Sequence, residues 1–471
     1  MNMKTSLIFA AVVSSISSIA MADDTSRIAD LEKRLQDLDQ KYRILERRVE
    51  LDQENAVEKS KSAPVVSIGA NGVNFRSADT NFFLKVKGLL QFDSHTYIGD
   101  NGIKNNDSFL LRRVRPIILE GTIFRDFDFG FVPEFGGSGT AITPTILDAY
   151  LNYRYSPELQ LQVGKFKNPI SLEQLQSDSA AFWIERSLPA YLAPNRDLGV
   201  ELHGDIFDSL LSYQLGIFNG SVDNGGSTSN KDFDDEKEFN GRVFVHPFVK
   251  TSIEPLQGLG LGVGSSYGRE SGTGSVASGY TTEAGQTFFS YNPKAIAGTT
   301  PVVAADGLHW RLAPQGYYYW GPFGLLGEYV ISSQHLSLAG PTAATSGSRA
   351  FKNKAWQVSG SYVLTGENAG FKGVTPKNRF SLSDHHWGAF EAVGRYSSFD
   401  VDDNVFNPTL PFANAASSAT GARAWTLGLN WYLNQNVRAS VDFTHTDFKG
   451  GTSQLLQKNE NAVLTRVQLS Y

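Results

Sequence analysis

The stretch that decides the fold is Asn461-Ala-Val-Leu-Thr-Arg-Val-Gln-Leu-Ser-Tyr471, at the carboxyl end of the chain. A strand has a period of two, so alternate residues of this stretch lie on opposite faces. One face holds Val463, Thr465, Val467, Leu469 and Tyr471, and the other holds Arg466, Gln468 and Ser470. An apolar, aromatic-ended face opposite a polar one is typical of the closing strand of a barrel in the bacterial outer membrane, with lipid outside and a wet lumen inside.

The same alternation continues from about residue 81. In the first such stretch, Leu84, Val86, Leu90 and Phe92 share one face, and Lys85, Lys87, Gln91, Asp93 and His95 share the other. We count about sixteen stretches of this kind. The sequence therefore predicts an all-β fold, a transmembrane antiparallel β-barrel over residues 81–471.

The connections between these stretches are of two kinds, and the two kinds alternate along the chain. Short turns are predicted at 124–126, 156–158, 207–209, 320–322 and 434–436. Long polar loops are predicted at 97–108, 136–145, 166–196, 219–238, 268–306, 335–352, 400–423 and 448–460. Short periplasmic turns and long outer loops are the pattern of outer-membrane barrels, although the predicted turns at 249–257 and 366–385 are longer than usual.

The residues before the barrel divide into three segments. Residues 1–22 are predicted as a signal peptide, because Lys4 precedes an apolar run and Ala20-Met-Ala22 supplies small residues for cleavage. A membrane anchor is the alternative, but this run is too short and is broken by serines. Residues 23–61 are predicted to form a periplasmic coiled-coil helix, or alternatively a single solvated helix, and residues 62–80 a linker. The apolar seam of the helix is Ile28, Leu31, Leu35, Leu38, Tyr42, Leu45 and Val49.

The composition excludes several classes of protein. There is no cysteine, which removes disulfides, thiol nucleophiles and cysteine metal sites from an exported chain. The counts of 45 Gly, 31 Phe and 18 Tyr suit tight turns and aromatic girdles. A net charge of -6 argues against binding to nucleic acid. We expect no cofactor and no metal site.

Several blocks of the sequence, in the order in which they occur, resemble the phosphate-selective porins O and P. The blocks are SFLLRRVRPIILEGT (108–122), VGKFKNPISLEQL (163–175), WIERSL (183–188), RDLG (196–199), YVLTGE (362–367), WGAFE (387–391), GRYS (394–397) and LGLNWY (427–432). The resemblance covers essentially the whole barrel. It implies a homotrimer in outer-membrane lipid and lipopolysaccharide, with an anion-attracting pore for which phosphate is a candidate solute.

The resemblance, together with the basic residues on the second strand and in the loop at 166–196, indicates which residues form the pore constriction. The loop at 166–196 is expected to fold into the lumen and narrow it. Basic residues suit phosphate oxygens because their N–H groups donate strong hydrogen bonds to anions. The expected constriction residues are Arg112, Arg113, Arg115, Asp148, Lys167, Arg186, Arg196 and Lys352. For each arginine the alternative is a wall residue paired with an acidic neighbour.

The chain departs from the family at two positions. Leu89 stands where the family has an arginine, and Gln174 stands where it has a lysine. Both changes remove positive charge, so they favour a weakly selective anion pore or one for larger anions such as pyrophosphate and polyphosphate.

Three other functions are considered. A general diffusion porin is the first alternative. A structural tether that uses the coiled coil is another. An outer-membrane barrel enzyme is the third, but the sequence has no Gly-x-Ser-x-Gly, His-Glu-x-x-His or P-loop motif, so we predict that the protein is not an enzyme.

Overall fold

The computed structural model describes residues 24–99, 106–137, 143–223, 232–291, 301–340, 342–451 and 458–471. The predicted signal peptide lies outside the described residues. So do parts of the predicted loops at 97–108, 136–145, 219–238, 268–306, 335–352 and 448–460. The chain forms two compact units, with the boundary after Pro64. Among the described residues, no helix contains 18 residues in a row that are apolar enough to cross a bilayer.

The first unit contains the predicted helix, α1, which runs from Asp24 to Ser62. Ion pairs one turn apart, such as Arg34–Asp30 and Arg43–Asp39, add support to its surface. The seven apolar residues of the predicted seam are between 50% and 70% exposed in the single chain. The helix is confirmed, and its association with partner helices stays a prediction.

The predicted linker at 62–80 contains a β-hairpin. Strand β1 (Val65–Gly69) pairs with β2 (Gly72–Arg76), and β2 pairs in turn with the first barrel strand, β3 (Phe82–Tyr97). Gly72 has a φ of 92°, a conformation that favours glycine in a tight turn. The segment before the barrel is therefore ordered by backbone pairing over much of its length.

The second unit contains a closed antiparallel barrel of sixteen strands, as predicted. Its first strand, β3, pairs with its last, β20 (Glu460–Ser470), so the sheet closes on itself. The strands between them are β4 (Ser108–Ile123), β5 (Phe127–Glu134), β6 (Thr145–Ser156), β7 (Leu159–Lys167), β8 (Arg196–Ile206), β9 (Leu211–Phe218), β10 (Glu238–Val245), β11 (Leu259–Gly272), β14 (Val302–Trp320), β15 (Phe323–Ala339), β16 (Gly347–Val363), β17 (Ala389–Asp400), β18 (Gly421–Tyr432) and β19 (Val437–Lys449).

Shorter elements lie in the connections. Strands β12 (Tyr280–Thr281) and β13 (Thr287–Phe289) form a small hairpin, and α2 is Leu172–Leu175. Short 3-10 helices are Leu188–Leu192, Glu254–Leu256, Thr273–Ser275, Ala343–Thr345 and Asp403–Phe406. The predicted long loop at 335–352 is shorter than expected. Strands β15 and β16 continue into the predicted loop from its two ends and leave only residues 340–346 between them.

The faces of the strands alternate as the sequence predicts. On β3, Leu90 and Phe92 are 41% and 43% exposed in the single chain, whereas Gln91 and Asp93 between them are fully buried. The apolar faces therefore point outward and the polar faces point into the barrel, as in barrels that span a membrane. The closing strand follows the same rule, with Val467 outside and Arg466 inside.

The short turns close neighbouring strands with left-handed residues. Between β4 and β5, Phe124 and Arg125 have φ values of 51° and 66°. Two such residues in succession match the right-handed twist of the flanking strands. The Arg125 guanidinium also donates a 3.0 Å hydrogen bond to the carbonyl of Asp79.

Two loops fold into the lumen. The first, residues 168–195, is the predicted inward loop, and its residue Ile184 donates a 2.8 Å backbone hydrogen bond to Asp442 of β19. The second, residues 273–291, follows β11 and was expected to be an outer loop. Its Glu283 accepts hydrogen bonds from Ser397 of β17 and Thr426 of β18, at 2.7 and 2.6 Å. Both loops therefore narrow the lumen.

The apolar core of this unit lies inside the barrel, between the two inward loops and one part of the wall. Ile170 and Leu188 of the first loop and Phe288 of the second belong to one buried cluster with Val330 of β15 and Phe399 of β17. Burying a side chain of this size stabilises the fold by roughly 1.5–3 kcal/mol. Both loops are thus bound firmly to the wall formed by β14–β18.

Closure of the barrel also depends on a buried ion pair. Arg466 of β20 donates two hydrogen bonds, at 2.7 and 2.6 Å, to the carboxylate of Asp93 directly opposite on β3. Asp93→Ala would leave a buried guanidinium without its partner, so we expect it to lower the free energy of unfolding by about 3–5 kcal/mol. Unfolding by guanidinium chloride, with the protein in detergent micelles, measures this loss of stability.

The matched control removes an exposed ion pair. Lys449 and Asp400 are 3.3 Å apart, and their side chains are 57% and 45% exposed. Asp400→Ala should cost no more than about 1 kcal/mol. Equal losses in the two variants would show that the Asp93 pair does not hold the closing strands.

Candidate pore constriction

Three arginines of β4 point into the lumen because the strand contains a bulge. Two successive residues of β3 are paired with Arg113 and Leu111, so Arg112 is the extra residue. A bulge interrupts the alternation of faces and redirects a side chain. Arg112 therefore joins Arg113 and Arg115 inside the barrel, whereas regular alternation would have placed it on the opposite face.

The inward loop adds Arg186 and is anchored by Lys167. The Arg186 guanidinium donates hydrogen bonds to the Glu173 carbonyl and, at 2.7 Å, to the Asp178 carboxylate. The Lys167 ammonium, at the end of β7, donates to the carbonyls of Leu175 and Gln176 at 3.2 and 2.7 Å. Lys167 thus holds the loop backbone.

Asp178 is the centre of the arginine cluster. Its Oδ1 lies 3.2 Å from Arg113 Nη2 and 2.7 Å from Arg186 Nη2. Its Oδ2 lies 2.7 Å from Arg115 Nη2, and the side chain is only 4% exposed. Arg115 has a second partner, the carboxylate of Glu134 at 2.7 Å. One carboxylate therefore contacts three guanidinium groups.

The other two arginines each have one acidic partner. Arg112 donates two hydrogen bonds to the Glu185 carboxylate, at 2.5 and 2.9 Å. Arg196 donates to the Asp148 carboxylate at 2.8 and 3.3 Å. These bidentate pairs connect the inward loop and β8 to neighbouring parts of the wall.

A cavity of about 240 Å³ lies between this wall and the inward loop. Five arginines and three carboxylates are among its described lining residues, an excess of two positive charges, or of one when Asp148, the partner of Arg196, is counted. The arginines are Arg112, Arg113, Arg115, Arg186 and Arg196, and the carboxylates are Glu134, Asp178 and Glu185.

A second cavity, of about 580 Å³, lies toward the short turns. Its described lining includes Lys85 and Lys87 of β3, Lys372 and Arg438. The loop residue Ser179 lines this cavity, whereas its neighbour Asp178 lines the first. Asp178 and Ser179 of the inward loop therefore lie between the two cavities.

Comparison with known proteins agrees with this architecture. The family model described as phosphate-selective porin O and P matches residues 84–471. The chain belongs to the phosphate-selective porin O and P family. Porin O of Pseudomonas aeruginosa is 24% identical to it over 436 residues, which cover 86% of this chain and 92% of that one.

Solved structures share the fold of this porin. The outer-membrane channel DcaP of Acinetobacter baumannii matches with a TM-score of 0.52 and 13% identity, over 84% of this chain and 99% of that one. OmpT of Vibrio cholerae matches with a TM-score of 0.50 and 10% identity, over 83% and 98%. The chain is thus an outer-membrane porin with a β-barrel fold.

Lys352 does not join the other predicted constriction residues. It lies on the outer face of β16, with its ammonium 5.5 Å from the centre of the Trp310 ring. Its neighbour Phe351 points inward and is buried in the apolar core. The alternation of faces therefore places Lys352 away from the lumen of the porin.

The two positions that depart from the family contribute no charge to the lumen. Leu89 is only 4% exposed and is paired with Arg115 in the register of β3 and β4. Gln174 lines the smaller cavity, and its side-chain amide donates a 3.1 Å hydrogen bond to the carbonyl of Ala190. A neutral side chain thus stands at each of these positions.

Apart from Asp148, sequence reasoning missed the acidic residues of the site. Asp178 and Glu185 lie in the same loop as Arg186, and Glu134 lies at the end of β5. A loop has no period that reveals which side chains meet, so their spacing carried no signal. The only available signal was charge balance, because arginines that point into the barrel need acidic partners.

One group of residues has the composition of a metal site. Ligand atoms of Asp93, His95 and Glu185 lie within 4.8 Å of one another. Asp93 is already paired with Arg466, and Glu185 with Arg112. Because guanidinium groups occupy both carboxylates, this group belongs to the ion-pair network of the wall.

The two loop carboxylates are held in the ionised form. Burial alone would raise the pKa of Asp178, but the charges of Arg113, Arg115 and Arg186 outweigh it and keep that pKa well below its ordinary value. Burial likewise opposes ionisation of Glu185, and the charge of Arg112 overcomes it and lowers the Glu185 pKa.

The pH dependence of the porin follows from these two depressed pKa values. The ion pairs stabilise the loop fully above the unfolded pKa values of about 4, and this stabilisation is lost as pH falls through the lower folded values. We expect single-channel conductance to stay constant from about pH 8 to pH 5 and to change only below about pH 4. Planar-bilayer recording measures it. A step between pH 5 and 7 that vanishes in Glu185→Gln would contradict this assignment.

Proposed function

We propose that this porin passes small anions by passive diffusion, through the arginine-lined cavity of about 240 Å³. The observation that supports this proposal is the excess of arginine over carboxylate among the described lining residues. Rings of arginine and lysine attract anions, and the walls of a narrow site strengthen the local field. No covalent step and no cofactor is needed, because the solute moves down its own gradient.

The pairing of each arginine bears on how tightly an anion is held. Every arginine that lines the smaller cavity contacts a carboxylate or amide partner in the described part of the chain. An entering anion therefore shares donors that are already engaged, and its binding is weak. Weak binding suits conduction, since an anion must leave as readily as it enters.

The family's preference for phosphate is the finer part of the proposal. Leu89 and Gln174 are neutral, so the positive charge near the constriction is lower than in a family member with arginine and lysine at these positions. We therefore favour modest selectivity, with phosphate or larger anions such as pyrophosphate and polyphosphate among the solutes. A general diffusion porin is the alternative within the same class.

Reversal potentials in a potassium chloride gradient test the proposal. We expect the wild-type porin to prefer chloride to potassium. Arg112→Gln should lower the permeability ratio by about threefold, roughly the effect of one unit charge at about 6 Å in water. Lys352→Gln is the matched control, because it removes the same charge from the outer face. A cation preference in the wild type would refute the proposal, and equal effects of the two substitutions would remove the role of this cavity.

We also propose that the porin assembles as a homotrimer, surrounded by outer-membrane lipid and lipopolysaccharide, with α1 in the periplasm. The exposed seam of α1 supports a coiled coil, because apolar residues in steps of three and four pack against partner helices. The helix would then stabilise the trimer without lining the pore.

Deletion of residues 24–60 should therefore leave conductance intact. It should also lower the temperature at which the trimer dissociates, measured on an SDS gel of samples heated to graded temperatures. The double substitution Leu35→Ser with Leu38→Ser should have the same effect, since it interrupts the seam. Lys33→Ser with Lys41→Ser is the control outside the seam. A trimer of unchanged heat stability in the seam variant would contradict the coiled coil.

A barrel enzyme is the second candidate, and one arrangement favours it. Ser332 Oγ lies 2.9 Å from His309 Nε2, and His309 Nδ1 lies 2.9 Å from Glu270 Oε2. This is the order of a nucleophile, a base and an orienting acid. Ser332 is only 2% exposed, however, so its hydroxyl is not accessible to a substrate. Arg311 Nη2 also lies 3.4 Å from His309 Nδ1, the same nitrogen that faces Glu270. We therefore assign this row to the wall of a non-enzymatic channel.

A further inference from the structure

Asp178 has the surroundings of a bound anion. Its two oxygens contact Nη2 atoms of Arg113, Arg115 and Arg186 at 2.7–3.2 Å. Planar guanidinium groups recognise a carboxylate and a phosphate by the same charged hydrogen bonds. The carboxylate thus occupies a site whose chemistry suits a small oxyanion.

Two side chains of the barrel wall hold the backbone of the loop at Asp178 and Ser179, between the two cavities. The side-chain amide of Gln91, on β3, donates a 3.0 Å hydrogen bond to the Asp178 carbonyl. The amide of Gln468, on β20, donates a 3.0 Å hydrogen bond to the carbonyl of Ser179. Because Asp178 lines one cavity and Ser179 the other, an anion that moves between the cavities meets the three arginines here.

We propose that Asp178 is a tethered competitor for the anion site of this pore, and that its carboxylate sets how strongly the pore holds a permeating oxyanion. An oxyanion such as phosphate or a small carboxylate exchanges with Asp178 for the donors of Arg113, Arg115 and Arg186. The tether keeps the competing carboxylate at high local concentration, so that the entering anion is released quickly. This inference rests on the proposed anion-conducting function and specifies its selectivity-determining residue.

Asp178→Asn tests the proposal directly, because it removes the competing charge and keeps the size of the side chain. The measurement is inhibition of chloride current by inorganic phosphate, and separately by acetate, in a planar bilayer that contains the full-length porin. We expect the half-inhibiting concentration of at least one of the two anions to fall about tenfold or more, and the larger change identifies the preferred class of oxyanion. No change for either anion would overturn the proposal.

Glu185→Gln is the matched control. It also removes one negative charge from the lining of the same cavity, but among the described residues Glu185 is paired with Arg112 and not with the three arginines around Asp178. We expect it to change phosphate inhibition by no more than about threefold. An equal change in both variants would show that only the total charge matters and would overturn the specific role of Asp178.

A second variant keeps the test decisive if Asp178→Asn does not fold. Arg186→Gln removes one of the three donors while Asp178 remains, and it should weaken phosphate inhibition by about threefold or more. Unchanged inhibition would contradict the site. A wild-type porin without anion preference would refute the proposed function itself, whereas an anion-selective wild type with no response to these substitutions would refute this inference alone.

Discussion

The structure depends on the fact that hydrocarbon offers no hydrogen bonds to a polypeptide backbone. Every N–H and C=O group at that depth must find a partner within the protein, and a sheet achieves this only when it closes. Pairing of β3 with β20 supplies the closure, from the Ala462–Tyr97 pair to the Ser470–Leu89 pair. The Asp93–Arg466 ion pair fixes the same two strands from the inside.

Closure then determines what the interior contains. A sixteen-stranded barrel is too wide for wall side chains alone to fill it, so either water or chain must occupy the lumen. Here two inward loops pack an apolar core against β14–β18 and leave the arginine-lined cavity beside β4–β6. The same packing that stabilises the loops therefore positions the constriction.

The arginines of the constriction have two roles at once. Arg112 and Arg115 join β4 to the inward loop through Glu185 and Asp178, and Arg196 joins β8 to Asp148 of β6. All three arginines also line the cavity. A buried guanidinium is costly without a partner, so acidic residues accompany each of them. Under the proposed function, the surplus of positive charge, rather than any unpaired arginine, attracts the anion.

The sequence by itself determined the barrel, the number of strands and the helix α1, because period-two and heptad patterns are local properties of the chain. Its resemblance to the porin family pointed to the basic residues of the candidate constriction. The sequence did not reveal the hairpin at 65–76, the inward fold of 273–291, the bulge that turns Arg112 inward or the outward position of Lys352. It also did not reveal that Asp178 meets three arginines. Those features depend on register between strands and on which loops enter the lumen, and contacts between distant residues decide both only when the barrel has closed.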